Sequence, residues 1–211
     1  MLNIAVLVSG GGTNLQALLD AEARGELPGG RIALVAASKP GVYALERAKQ
    51  AGVPSAVVCR RDYPDDGAFC DALLTVLKAR DIGLVVLAGF LSILDEHFVR
   101  AFENRVINVH PSLIPAFCGK GCYGLRVHER VLERGVKVTG ATVHFVNEGA
   151  DEGPIILQKA VEVLPGDTPE SLQKRVMEEA EWKLLPRAVA LFCAGRLSVE
   201  GRRVIMREEL E

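Results

Sequence analysis

Asn108 and His110 stand two residues apart at the end of the hydrophobic run INVHPSLIPAF (107–117). Side chains alternate along a strand, so the amide and the imidazole point to one face, and Pro111 stops the chain directly afterwards. Two polar side chains at a strand end can simply reach solvent. The pair gains meaning from a carboxylate. In the acidic loop NEGADEGP (147–154), Asp151 placed near that imidazole would hold its tautomer and raise its pKa, as a proton-transfer site needs.

A second candidate lies at SGGGTNLQ (9–16). Glycines let backbone N–H groups approach a ligand, and the helix start that follows favours negative charge, so the stretch reads as a cradle for a phosphate or other small anion. It lacks the dinucleotide fingerprint, because Leu15 stands where the third glycine belongs and Ser38 and Lys39 replace the ribose-reading acid. No Walker lysine follows the glycines. The same residues also suit a plain strand-to-helix turn capped by Thr13 or Asn14.

The other histidines read as structural. His97 shares an amphipathic helix with Phe98 and Phe102 and is expected half-buried at the surface. His128, among the charges of RVHERVLERG, is expected to face solvent. His144 alternates with Val143 and Phe145, which suits a satisfied buried histidine or a support for the site. Cys118 and Cys122 in FCGKGC fit no strong zinc spacing, so no metal is expected.

The elements that must carry these residues alternate. Strand-like runs at 2–8, 31–38, 55–59, 82–90 and 106–110 are separated by helical runs at 14–25, 43–52, 67–81 and 95–104. Nearly continuous apolar strands between amphipathic helices call for a parallel sheet covered on both faces, a doubly wound α/β fold. Ligands in such sheets sit beyond the carboxyl ends of the strands, where Asn108 and His110 stand. Runs at 137–146 and 154–164 suggest an antiparallel extension. A long C-terminal helix is expected from Thr168 to about Gly195, kinked or divided by Pro186, and 196–206 reads as a hairpin.

With 211 residues the chain suits one domain that needs no staple. Its 25 basic and 27 acidic residues leave a net charge of −2, so no global field is available for nucleic acid. No apolar run is long enough for a bilayer, no export signal is evident, and five cysteines lack a C-x-x-C pair. A reduced cytoplasmic protein is the expectation.

Five blocks in order, VLVSGGGTNLQAL, VVLAGFLSIL, INVHPSLIPAF, GATVHFVNEGADEGPIILQ and the C-terminal helix, resemble the glycinamide ribonucleotide formyltransferases of de novo purine synthesis. The resemblance spans nearly the whole chain. It implies a Rossmann-like formyltransferase fold in one domain, 1–211, with a ribonucleotide-phosphate half (1–105) and a catalytic and folate half (106–211). Asn108, His110 and Asp151 match the family's catalytic residues, and Gly12, Thr13 and Asn14 its phosphate-binding turn. Glu181 matches its ribose-binding acid. Leu91, Ser92, Ile93 and Leu94, with Asn108, match the folate pocket, and Thr142 and His144 match supporting positions beside the catalytic residues. Implied are glycinamide ribonucleotide and 10-formyltetrahydrofolate as small-molecule substrates, direct transfer through a tetrahedral intermediate, and a monomer or homodimer.

The loop FCGKGCYGLRVHERVL is longer than in many relatives, and Asp66 stands where some use an arginine near the folate tail. Formyltetrahydrofolate hydrolase resembles the same core, but an N-terminal regulatory module is not expected with core sequence starting at residue 2. Methionyl-tRNA formyltransferase would add a C-terminal domain and a basic surface, neither of which is expected. A folate- or nucleotide-binding module without catalysis is the third reading.

Overall fold

The computed structural model describes residues 1–207. The chain forms two compact units, Met1–Ile107 and Asn108–Glu211. Residues 208–211, the end of the expected domain, lie outside those described.

In the first unit, β1 (Leu2–Val8), β2 (Gly30–Ala37), β3 (Ser55–Val57) and β4 (Ile82–Leu87) alternate with α1 (Thr13–Ala23), α2 (Tyr43–Gln50), α3 (Asp66–Lys78) and α4 (Glu96–Ala101). β1 pairs in parallel with both β2 and β4, and β2 with β3. A strand covered on both faces must be apolar throughout. Accordingly every residue from Ile4 to Val8 is fully buried. Leu15, Leu18 and Leu19 form the buried stripe of α1. Asp65 and Asp95 cap α3 and α4 by accepting the N–H groups of Ala68 and Phe98.

β5 (Val106–His110) begins at the end of the first unit, and its last three residues open the second. There follow α5 (Leu125–Arg134), β6 (Val138–Phe145), β7 (Ile155–Glu162), α6 (Pro169–Val176), α7 (Trp182–Cys193), β8 (Leu197–Glu200) and β9 (Arg203–Met206). β6 and β7 are antiparallel, with a register shift between Val143 and His144. β8 and β9 form the antiparallel hairpin expected at the terminus. The architecture is therefore α/β, parallel in the first unit with an antiparallel extension in the second.

Three expectations change. The long C-terminal helix is present, capped by Thr168 in a reciprocal box with Ser171, but it does not break at Pro186. Instead a five-residue π-helical segment, Met177–Glu181, separates α6 from α7. Pro186 cannot donate to the Trp182 carbonyl and its ring crowds that group. The widened turn sits immediately before that residue. His128 is fully buried rather than solvent-facing, because it lies on the inner stripe of α5 with Val127 and Val131. His97 is exposed rather than half-buried, since Phe98 and Val99 take the inner face of α4.

Candidate active site

In the second unit five predicted residues come together. The period of β5 places Asn108 and the buried His110 on one face. β6 supplies the buried Thr142 and His144. The irregular register at His144 is the kind of bulge that re-aims side chains beside functional sites. The loop after β6 supplies Asp151. It turns back sharply at Gly153, where a Cβ would lie 1.7 Å from the Phe145 carbonyl oxygen.

Asp151 bridges the two imidazoles. Its Oδ2 is 3.5 Å from His110 Nδ1, and its Oδ1 is 3.6 Å from His144 Nε2. Both separations lie at the edge of hydrogen-bonding distance. The Gly119 N–H donates to Oδ2 at 2.9 Å and fixes the carboxylate. His144 Nδ1 donates to the Phe145 carbonyl at 2.8 Å. A neutral ring protonated there presents Nε2 as an acceptor, which the Asn108 amide meets at 3.2 Å. One amide N–H is thereby used, and the second remains to donate.

The other nitrogen of His110, Nε2, lies 2.9 Å from the Phe117 carbonyl oxygen. Both ring nitrogens thus face acceptors, an arrangement that only the imidazolium satisfies fully. Burial nevertheless dominates and lowers the His110 pKa below its ordinary value, against the raising effects of Asp151 and the Phe117 carbonyl. The expected direction of the carboxylate's influence is right, but desolvation outweighs it. For Asp151, burial pushes upward. The His144 contact, the His110 charge and the Gly119 N–H together bring its pKa below the usual carboxylate value.

Phe117 and Asp151, the two residues whose oxygens face the His110 ring, both have left-handed backbones, with φ of 51° and 60°. Such conformations cost about 1–3 kcal/mol each and cluster at functional sites. Thr142 braces the turn that follows His110. Its hydroxyl donates to the Ser112 carbonyl at 2.7 Å and accepts from the Ile114 N–H at 3.1 Å and Gln158 Nε2 at 2.9 Å.

In the first unit the glycine loop ends at Gly12, the N-cap of α1, with φ 73° and no side-chain cap. Thr13 and Asn14 lie inside the helix, so the capped-turn reading fails. A Cβ on Gly12 would stand 2.7 Å from the Ala44 Cβ. α2 holds the loop's carbonyls: Ala44 N–H donates to Gly10 O at 3.2 Å and Arg47 Nε to Gly11 O at 2.9 Å. With these oxygens engaged by α2, donors at the start of α1 are suited to an anion.

Leu91–Leu94 form an irregular stretch after β4, with the Leu91 and Ile93 side chains exposed. Glu181 is buried on the π-helical segment of the second unit. Among the described residues no group of three His, Cys, Asp or Glu side chains could hold a metal ion. Cys122 Sγ instead accepts from Arg130 at 2.6 Å. No described helix is long and apolar enough to cross a membrane.

The formyl transferase profile matches residues 2–189. The chain belongs to the formyl transferase family. It is 40% identical over 200 residues to the phosphoribosylglycinamide formyltransferase of Haemophilus influenzae, covering 95% of this chain and 91% of that one. Its structure is similar to that of glycinamide ribonucleotide transformylase 1 from Symbiobacterium toebii, with a TM-score of 0.93, 48% identity, and coverage of 99% and 95% of the two chains. A formyltetrahydrofolate deformylase from Pseudomonas syringae has a TM-score of 0.87 but 25% identity, with 98% of this chain covering 66% of that one. The chain spans only 14% of the trifunctional purine biosynthetic protein adenosine-3 of Drosophila melanogaster, to which it is 44% identical over 91% of itself.

Sequence reasoning missed Phe117 and Gly119, which enter the candidate site through backbone atoms. The signal was the stretch AFCGKG, where a carbonyl and an N–H carry the contacts and side-chain identity says little. Arg47 was missed for another reason: an arginine on an amphipathic helix looks like any solvated charge.

Proposed function

We propose that the chain transfers the formyl group of 10-formyltetrahydrofolate to the amine of glycinamide ribonucleotide, a step of de novo purine biosynthesis. The observation that carries this reading is the linked set Asn108–His144–Asp151–His110 in a chain whose full-length relatives bear that name.

The ribonucleotide amine attacks the formyl carbon, and the carbonyl oxygen becomes an oxyanion. Asn108 donates its remaining amide N–H to that oxygen. His110, held neutral by burial, takes the proton that the attacking nitrogen releases. As imidazolium it is stabilised by Asp151 and by the Phe117 carbonyl, and it donates to the oxyanion after exchanging one of those contacts. It then returns the proton to N10 as the C–N10 bond breaks, so charge balances and tetrahydrofolate leaves neutral at N10. No metal or enzyme nucleophile is required, because the folate supplies an activated formyl group.

Gly12, Thr13 and Asn14 are assigned to the ribonucleotide phosphate and Glu181 to its ribose. Leu91, Ser92, Ile93 and Leu94 are assigned to the folate, with Thr142 and His144 supporting the reacting groups. We read residues 1–211 as one formyltransferase domain working in the cytoplasm, as a monomer or homodimer.

The test is tetrahydrofolate release from 10-formyltetrahydrofolate with and without glycinamide ribonucleotide. Release that depends on the ribonucleotide supports transfer. Formate production without it would favour the hydrolytic reading to which the deformylase likeness belongs. Ligand binding with no turnover in either arm would leave a binding module.

A further inference from the structure

Ser9 follows β1 and begins the glycine loop, and it is 6% exposed; Ser38, just after β2, is 4% exposed. Their hydroxyl oxygens lie 2.6 Å apart. The Leu91 N–H donates to Ser9 Oγ at 2.9 Å. The backbone reinforces this junction, with Ser9 N–H donating to Gly89 O at 3.2 Å and Ser38 N–H to Val8 O at 3.0 Å. One buried hydroxyl therefore joins the first residue of one loop to the first residue of another.

The connection has leverage at both ends. Leu91 and Ile93 expose their side chains, so packing does little to fix that stretch, and its amide hydrogen bond counts for more. On the other side, Ser9 directly precedes the three glycines, whose backbone an anion would order. A hydroxyl offers one donor and two acceptor positions. The Ser9–Ser38 pair can reverse its direction while Ser9 keeps an acceptor for Leu91. Ser38 thus fixes the Ser9 rotamer without competing for the amide.

We propose that Ser9 is a positioning residue that couples the two ligand loops, so that filling the glycine loop with a phosphate orders Leu91–Leu94 for the folate. This rests on the assignment of those loops in the proposed function. Neither ligand need touch the Ser9 hydroxyl. Ordering the glycine loop that starts at Ser9 holds its hydroxyl against the Leu91 N–H and lowers the ordering cost for the other ligand. By linkage the effect is equal in both directions.

The experiment is a calorimetric titration with glycinamide ribonucleotide, with and without saturating tetrahydrofolate, which has no formyl group to transfer. For the parent chain, tetrahydrofolate should tighten ribonucleotide binding about two- to tenfold, the net worth of one hydrogen bond. In Ser9→Ala that ratio should fall to about one, whereas Ser9→Thr, which keeps a hydroxyl, should restore it. A residue that only supported the fold would change stability and leave the ratio intact. An unaltered ratio in Ser9→Ala, or no enhancement in the parent, would overturn the coupling. If Ser9→Ala does not fold, Ser38→Ala replaces it, with a reduced ratio expected and a full parental ratio counting against the proposal. A parent chain that binds neither ligand alone would instead overturn the loop assignments, and the coupling with them.

Discussion

Oδ2 of Asp151 stands 3.5 Å from Nδ1 of His110, close enough for strong charge coupling inside a site where His110 is buried. The carboxylate favours the imidazolium, while burial favours the neutral ring and prevails at rest. That balance suits a group that must accept a proton and then release it.

Asp151→Asn should keep the loop nearly isosteric, preserve the ribonucleotide Michaelis constant and lower turnover steeply. His110→Ala should lose roughly 10²–10⁴ in rate. Because the pair acts as a unit, the double variant should lose far less than the two single losses combined. A steady-state double-mutant cycle checks this; fully additive losses would show that His110 works without the carboxylate.

The pH profile carries an independent sign. In the proposed mechanism neutral His110 accepts the proton, and its pKa lies below the ordinary 6.5, so the acid limb of kcat/KM should lie below that value. Asp151 raises the His110 pKa, so Asp151→Asn should move the acid limb to still lower pH. A limb that moves upward, or stays where it was, contradicts the assignment.

Asn108→Ala should cost about 3–4 kcal/mol of transition-state stabilisation, the scale of other oxyanion donors. It should also release His144 Nε2 from its amide partner. The expected signature is equal loss in kcat and kcat/KM. A change confined to KM would mean that Asn108 only binds substrate.

Gly12→Val meets two obstacles, a left-handed φ of 73° and an Ala44 Cβ that would lie 2.7 Å from the new Cβ. Strain of about 1–3 kcal/mol should lower the melting temperature. The Michaelis constant for the ribonucleotide should rise far more than that for the folate. Equal rises would show that the loop does not select the phosphate.

His128 gives a stability prediction. It is fully buried, neither ring nitrogen has a hydrogen-bond partner among the described residues, and burial lowers its pKa to about 4. Above pH 6.5 the ring is neutral in both folded and unfolded chains. As pH falls from 6.5 towards 4 the unfolded chain takes the proton first, and the fold loses up to about 3 kcal/mol. His128→Leu removes this linkage, so its stability relative to the parent should rise between pH 7.5 and pH 5 in denaturant titrations. A pH-independent difference would mean that the buried ring is not depressed.

Periodicity alone determined the alternating α/β order of the first unit, because a strand covered on both faces must be apolar along its whole length. It also put Asn108 and His110 on one face, a consequence of the two-residue repeat. The candidate catalytic residues were legible because they sit in blocks of recognisable sequence. Tertiary structure decided what those residues experience. The inner stripe of α5 buries His128 despite its charged neighbours, and the widened turn falls at Met177–Glu181 although the visible breaker is Pro186. Desolvation lowers His110 although its nearest charge is a carboxylate. The backbone groups of Phe117 and Gly119 complete the site through atoms that every residue possesses. Burial and backbone geometry depend on how distant segments pack, and no local pattern encodes them.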